Sequence, residues 1–407
     1  MTADRHSNVV ILRRTLSVRL RISTCNTLRG LSDGGAPLPS GTTTPGCARF
    51  PKLGAALATA ALALLIFFFG RFANAADAKS LQIYFIDVEG GQATLFVTPE
   101  RQSLLIDTGW PGNNGRDAER IVAAAHDAGI NKIDFVLITH YHDDHVGGVP
   151  QLAERIPIGT FIDHGENREP TGEFSQKVFA AYQQLLATGK YQHIVAKPGD
   201  VLPIKGIHAE VITSDGAMIE KPLAGAGQPN PYCADSPVPL ADHTENPRSL
   251  GTLITFGKLR ILDLGDLTAD KERALMCPVN RLGGIDIYIA SHHGNLQSGS
   301  AALVHALMPA VAIIDNGAKK GGSPSALEII KTTSRPRVEL WQLHFSEEAG
   351  AEHNTGPQFI ANLQGPDAGN FLKITAQPNS TFAIFNSRTN KSAYYDFAER
   401  PVTPAWP

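Results

Sequence analysis

Residues 133–148 read IDFVLITHYHDDHVGG, and this stretch constrains the fold more than any other. Ile133 to Ile138 make a short apolar run with β-branched and aromatic members, the length and chemistry of a buried strand. Three histidines and two aspartates follow within six positions: His140, His142, Asp143, Asp144 and His145. Such groups are costly to crowd together out of water unless something pairs them. In open α/β sheets, ligand sites gather at the carboxyl ends of strands, which is where this cluster begins. Gly147 and Gly148 then predict a tight turn into a short helix, VPQLAERI. Imidazole and carboxylate at this spacing suit a divalent transition metal, most often zinc. One loop supplies too few ligands for two closed coordination shells, so the remainder must come from elsewhere.

The rest of the chain alternates in a way that places those other ligands. LQIYFIDVEGGQATLFVTPERQSLLIDTGW reads as an antiparallel meander, and RDAERIVAAAHDAGI as an amphipathic helix with a glycine stop. TFIDHG is a further strand end, GEFSQKVFAAYQQLLATG a second helix, and residues 196–247 read as strands interrupted by a Pro-rich surface insertion. GTLITFGKLRILDLGD is a hairpin about Gly257. Helices over 269–276, 299–307 and 323–332 then interleave with the strands IDIYIASHHG, AVAIIDNG and VELWQLHF, and the tail NFLKITAQPNSTFAIFNSR is a hairpin. Meanders joined to interleaved helices predict an α/β (α+β) chain built as a four-layer α/β/β/α sandwich of two mixed sheets. Three more strand ends carry site chemistry: LLIDTG with Asp107, ILDLGD with Asp266, and YIASHHG with His292 and His293. By itself each fragment has a plain reading, as a turn cap, a turn or a solvated loop. The ordered set of five histidines and three carboxylates at four strand ends is what carries the reading.

On IDTG (106–109), THYHDDH (139–145, matching H-x-H-x-D-H), LGD (264–266) and SHHG (291–294), the chain resembles the metallo-β-lactamase fold superfamily. The resemblance runs from about residue 81 to about 345. The order of these motifs is similar to one branch, which includes the hydrolase domain of DNA-uptake competence proteins and bacterial phosphorylcholine esterases. The resemblance implies two divalent metal ions, zinc or alternatively manganese. His140 and His142 would hold one ion, and Asp144 and His145 the other, with one of His292 or His293. Asp266 would bridge both, and Asp107 would orient a ligand or the water. The implied catalytic set is therefore Asp107, Asp144 and Asp266. Most of the superfamily has one more histidine before the bridging aspartate. The candidates here are His164, His208 and His243, none in a matching context. His126 and His193 read as structural, whereas His344 and His353 follow a strand on the site side and are candidates to line a pocket. For Lys319 and Lys320, a solvated turn is the plainer reading, with a place near the site as the other.

The ends and the charge bear on location and partners. Nine of the 36 basic residues and two of the 39 acidic ones fall within residues 1–75, which leaves 27 basic and 37 acidic, a net −10, for the rest. An acidic body is a poor non-specific partner for nucleic acid. RFPKLGAALATAALALLIFFFGRFANA has the order of a secretory signal: basic residues, the apolar run 53–69, then Ala-Asn-Ala. The expected division is a leader or too-early start over 1–48, a signal over 49–75 cleaved after Ala75, and a metallo-β-lactamase-like hydrolase domain over 76–407. Export to the periplasm or outside the cell follows, with an uncleaved anchor over 53–69 as the alternative. Cys25 and Cys47 fall in the leader, and Cys233 and Cys277 either pair or stay as two thiols. The chain has neither G-x-S-x-G nor a P-loop, so the expected chemistry is hydrolysis by a metal-activated hydroxide without a protein nucleophile. A small or surface-attached phosphodiester is the expected substrate. A lactam, lactone or thioester is the alternative, and a non-catalytic metal-containing binding protein is the reading from another class.

Overall fold

Period-2 burial on two faces builds the layers. The strand Leu81–Phe85 puts Leu81, Ile83 and Phe85 into one apolar cluster and Tyr84 into another. Ser103–Ile106 does the same with Leu104 and Ile106 against Leu105. In a second group of strands, Leu259–Asp263 and Val311–Ile314 add Leu259, Ile261, Val311 and Ile313 to the shared cluster, and send Leu262, Ala312 and Ile314 to a third. A strand buried on both faces reads as a continuous apolar run, which is why LLI, ILDL and VAII stand out in the sequence. The shared cluster lies between two sheets, and each outer cluster is closed by helices. Arg116–Asp127 covers the first sheet with Ala118, Ile121 and Ala125, and Pro324–Lys331 covers the second with Leu327 and Ile330. This is the expected α/β/β/α sandwich.

The computed structural model describes residues 79–234, 236–237, 239–333 and 338–396. The expected leader and signal segments, with Cys25, Cys47, the apolar run 53–69 and the cleavage point after Ala75, lie outside the described residues. Among the described residues, no helix is long and apolar enough to cross a membrane.

Among the described residues, the first sheet has nine strands in the spatial order Lys391–Asp396, Thr381–Asn386, Leu372–Ala376, Leu81–Phe85, Thr94–Val97, Ser103–Ile106, Ile133–Leu137, Ile158–Asp163 and Gln192–Val195. Pairing is antiparallel up to Ser103–Ile106 and parallel from there on. The second sheet has eight among the same residues, in the order Ile360–Asn362, Glu339–His344, Val311–Ile314, Ile287–Ile289, Leu259–Asp263, Gly251–Phe256, His208–Ser214 and Ala217–Met218. Its first five strands are parallel and its remaining pairs antiparallel. Each sheet therefore has a parallel half, whose strand ends carry Asp107, the histidine loop and His164 on one side and Asp266, His292 and His293 on the other.

Two expectations are refined. The expected turn into the helix Val149–Ala153 forms at Gly147 and Gly148, but with ordinary helical φ values of −63° and −76°, so the glycines are not needed there for a left-handed backbone. They supply space, since a Cβ at Gly148 would lie 2.1 Å from the Thr108 carbonyl oxygen and one at Gly147 2.3 Å from Pro111 Cδ. The Pro-rich insertion is also less loose than its composition implies. Gln228–Pro229 pairs with Val279–Asn280, Leu223 and Tyr232 pack on the outer cluster of the second sheet, and a disulfide joins Cys233 to Cys277. The open choice between a bond and two thiols is thereby closed. Replacing both cysteines by alanine should lower stability by about 2–4 kcal/mol, because the bond closes a long loop in the unfolded chain. Chemical denaturation of the oxidised protein beside the double variant measures this.

Candidate metal centre

The centre is organised from Asp107 outward. Asp107 follows its strand directly at φ +59° and is fully buried. It accepts hydrogen bonds from the Thr139 backbone N–H at 2.8 Å and the Thr139 hydroxyl at 2.7 Å, and its Oδ2 lies 2.7 Å from His145 Nδ1. A carboxylate at Nδ1 calls for the proton there, which leaves the Nε2 lone pair facing inward. Gly265 brings the other sheet's loop close, since a Cβ there would lie 2.8 Å from Thr139 Cβ. Leu250 N–H donates to Thr139 O, and Ser249 Oγ accepts from Asp266 N–H at 3.1 Å. The loops bearing the histidine cluster and Asp266 are thus both tied to the Ser249–Leu250 segment.

Each of the five histidines has its outer ring nitrogen near an oxygen. For His140 it is Nδ1, 3.1 Å from Thr139 Oγ1, and for His292 it is Nδ1, 3.3 Å from Ser298 Oγ. His293 Nδ1 lies 3.3 Å from Asp315 Oδ1, close enough for ionic attraction although neither atom makes an aligned hydrogen bond. His142 is reversed: its Nε2 lies 2.9 Å from Glu169 Oε2, so Nδ1 is the nitrogen left for a ligand role. His292 and His293 both have left-handed backbones, φ +55° and +53°, a strain on the order of 1 kcal/mol or more per residue. The strain sends successive rings to opposite sides of Asp266.

The inner nitrogens and carboxylates converge. Asp144, His145, Asp266 and His293 each offer a ligand atom within 4.8 Å of one another. His145 Nε2 lies 3.1 Å from His293 Nε2, 3.2 Å from Asp144 Oδ2 and 3.3 Å from Asp266 Oδ1, while His293 Nε2 lies 3.5 Å from Asp266 Oδ1. On the other side, Asp266 Oδ2 lies 3.5 Å from His292 Nε2 and 3.9 Å from His140 Nε2. Asp266 Oδ1 and His140 Nε2 are buried with no hydrogen-bond partner. Two imidazole nitrogens nose to nose beside carboxylate oxygens, with orphaned acceptors, are the donor set of a divalent cation. The residues present fit such an ion.

The electrostatics agree with the geometry. Burial pushes the Asp266 carboxyl up, but His145, His293 and His292 outweigh it and hold the group well below the usual range. Asp144 is also held low, against burial, by His145 and Lys320. Burial disfavours charge on His293, yet Asp266 and Asp315 push it up to about 9. His145 is likewise raised, against burial, by Asp266, Asp144 and Asp107. Burial and the neighbouring His145 and His142 instead keep His140 well below its usual value. The pocket between Asp144 and Asp266 therefore favours positive charge, which a metal supplies without a proton.

Residues 87–236 match the sequence profile of the Metallo-beta-lactamase superfamily. A metallo-beta-lactamase superfamily domain is thereby matched over residues 87–236. The chain is 39% identical over 83 residues to the hydroxyacylglutathione hydrolase of Stenotrophomonas maltophilia, covering 20% of this chain and 31% of that protein. It is 25% identical over 243 residues to recombination protein 2 of Haemophilus influenzae, covering 58% of this chain and 24% of the relative. The chain thus spans under a third of the length of either curated relative. Among solved structures, the metallo-beta-lactamase fold protein YhfI from Bacillus subtilis is similar at TM-score 0.39 and 13% identity, over 65% of this chain and 96% of that one.

The remaining candidate residues divide between the surroundings of the cage and the surface. Of the three candidates for a further histidine, His208 and His243 are exposed. His164 is buried, with Nε2 3.0 Å from Glu245 Oε2 and Nδ1 without a partner. Glu245 N–H donates to Glu169, so His164 connects to His142 through two glutamates. His344 Nε2 lies 2.7 Å from Asp87 Oδ1 and 3.8 Å from Glu89 Oε2, a second convergence of ligand-type atoms. Arg120 Nη1 lies 3.1 Å from Asp87 Oδ2 and already supplies a cation there. His353 is part-exposed beside Glu352, and His126 and His193 are exposed. Glu169, Asp315 and the role of Lys320, whose ammonium contacts Asp144 Oδ2, are not among the residues that the sequence motifs single out. Asp315 was within reach, since it follows VAII as Asp107 follows SLLI, but Glu169 sits in a polar loop without any signal.

The outer oxygens should set metal affinity. Asp107→Asn is expected to weaken binding at the His145 side by about 10- to 100-fold. Glu169→Gln should weaken binding through His142 and leave the His145 side at wild-type affinity. Competition with a chromogenic chelator resolves the two effects.

Proposed function

We propose that this chain is a binuclear metal-dependent hydrolase acting on a phosphodiester. The observation that carries the reading is the two-sided environment of Asp266, with Oδ1 toward His145 and His293 and Oδ2 toward His140 and His292. A carboxylate can serve two cations because it has two oxygens, whereas a neutral imidazole has one lone pair to give. Zinc, or manganese as the alternative, would when bound acidify a shared water and take up charge on the attacking and leaving oxygens. The protein's part is to hold that arrangement. Asp107 fixes the His145 ring, Asp315 and Ser298 stand behind the paired histidines, and buried Asp266 and Asp144 keep their charge. The substrate class is supported by the branch resemblance of the motifs. A body of net −10 favours a small or surface-attached phosphodiester over duplex DNA.

A carbonyl substrate is the second reading. It is favoured by the relatives named hydroxyacylglutathione hydrolase and by an atrochrysone carboxyl ACP thioesterase of Pseudocercospora fijiensis, 39% identical over 80 residues. Elemental analysis should find about two metal ions per chain. Turnover of bis-p-nitrophenyl phosphate should exceed that of nitrocefin, an acylglutathione and plasmid DNA under the same metal loading. Asp266→Asn should remove most turnover, since it takes the charge from between both ions and keeps the shape. Efficient thioester or lactam hydrolysis without phosphodiester turnover would replace this reading with the second. A protein that holds metal but turns over none of these substrates would leave the non-catalytic metal-containing binding protein, and a metal-free protein would overturn the metal centre.

Export is also proposed. It is supported by the basic, apolar, Ala-Asn-Ala order before residue 76 and by the Cys233–Cys277 bond, which suits an oxidising compartment. N-terminal sequencing of the exported protein should begin at Ala76. A retained segment 1–48 would refute the cleavage.

A further inference from the structure

Lys320 stands beside the cage, part-exposed and in contact with Asp144, and is not itself a metal ligand. The turn that carries it is clamped on three sides. Gly317 N–H donates to Lys320 O, Gly322 N–H to His293 O, and Ser323 N–H to Gly294 O. Asn316 Nδ2 bridges Gly317 O and His344 O, each at 2.9 Å. Gly321, at φ +75°, passes so close to the paired histidines that a Cβ would lie 2.2 Å from His293 O. The Lys320 backbone is thus held beside His293, while its side chain remains 33% exposed. The ammonium contacts Asp144 Oδ2 and lies 4.9 Å from the centroid of the Trp110 ring. Among the described residues, no other lysine or arginine forms an ion pair with a residue of the cage.

A divalent ion at Asp144 competes for the same carboxylate oxygen, and an ammonium next to that ion is repelled from it. The clamped backbone keeps Lys320 from leaving, and the indole face offers the ammonium a second, weaker site. A strongly hydrated point charge on a flexible stem, part-exposed and held beside a cation cage, is suited to an oxyanion that bridges between them.

We propose that Lys320, backed by Trp110, is the anion-recognition residue of this centre and binds a non-bridging oxyanion of the substrate. This rests on the metal-centre reading and adds that the substrate is negatively charged next to the scissile bond. Neutral esters lack the group it takes. Lys320 binds substrate and takes no proton from the nucleophile.

The test is binding of inorganic phosphate to the zinc-loaded full-length protein by calorimetry, for wild type, Lys320→Met and Lys320→Arg, with metal content measured on each. Lys320→Met should weaken phosphate binding on the order of tenfold, and Lys320→Arg should recover most of it. All three proteins should carry the same metal per chain. The KM ratio of bis-p-nitrophenyl phosphate to neutral paraoxon should rise in Lys320→Met. Wild-type phosphate affinity in Lys320→Met would overturn the proposal. So would weakening that merely follows lost metal, since Lys320 would then belong to the cage. If the wild type turns over no phosphodiester, the substrate reading fails, yet a Lys320-dependent phosphate isotherm still upholds this one.

Discussion

Two carboxylates buried between two sheets must be met by positive charge, and most of the local structure follows from that constraint. Asp144 and Asp266 are removed from water at the meeting of the parallel halves, where an isolated charge is costly. The chain answers with imidazoles from both sheets and an ammonium from a turn. The imidazoles must be kept in the tautomer that presents a lone pair or a shared proton inward. That is the task of Asp107, Thr139, Glu169, Ser298 and Asp315 on their outer nitrogens.

The backbone bears part of the cost. Asp107, His292 and His293 sit at positive φ, where non-glycine residues are uncommon. Such strain persists where surrounding contacts over-determine it. Here His292 N–H is held by Gly265 O, and His293 O accepts from Gly322 N–H, so both neighbouring loops fix the pair. The geometry that points His292 and His293 to opposite sides of Asp266 is therefore a product of three loops acting together. It explains why both can face the cage, when the motif resemblance implied a ligand role for one.

Much of the fold was legible because burial on two faces forces apolar runs, and helices on the outer layers force a 3.6-residue period. The runs at 104–106, 133–138, 259–264 and 311–314 mark strands that the sheets bury on both sides. Where this signal fades, composition no longer tells a held segment from a loose one. The insertion within 196–247 looks loose because it is rich in Pro and Gly, but it is held by a disulfide and by two apolar anchors, Leu223 and Tyr232, that have no period. Gly147 and Gly148 show the same limit, since a glycine kept for space and one kept for φ are the same letter.

By itself, the sequence determined that strands would end in histidines and carboxylates, because alternation and strand length are local properties written in consecutive residues. It also determined the order of the cage residues, Asp107, the loop 140–145, Asp266 and His292–His293. Only the tertiary structure decided how they meet. It set His293 with Asp144 and His145, and His292 with His140. It gave His142 to Glu169 through Nε2, and it turned Lys320 from a solvated charge into a contact of Asp144. Those pairings join residues 27 to 176 positions apart. They depend on how two sheets stack and on which ring nitrogen faces inward, and no spacing along the chain encodes either.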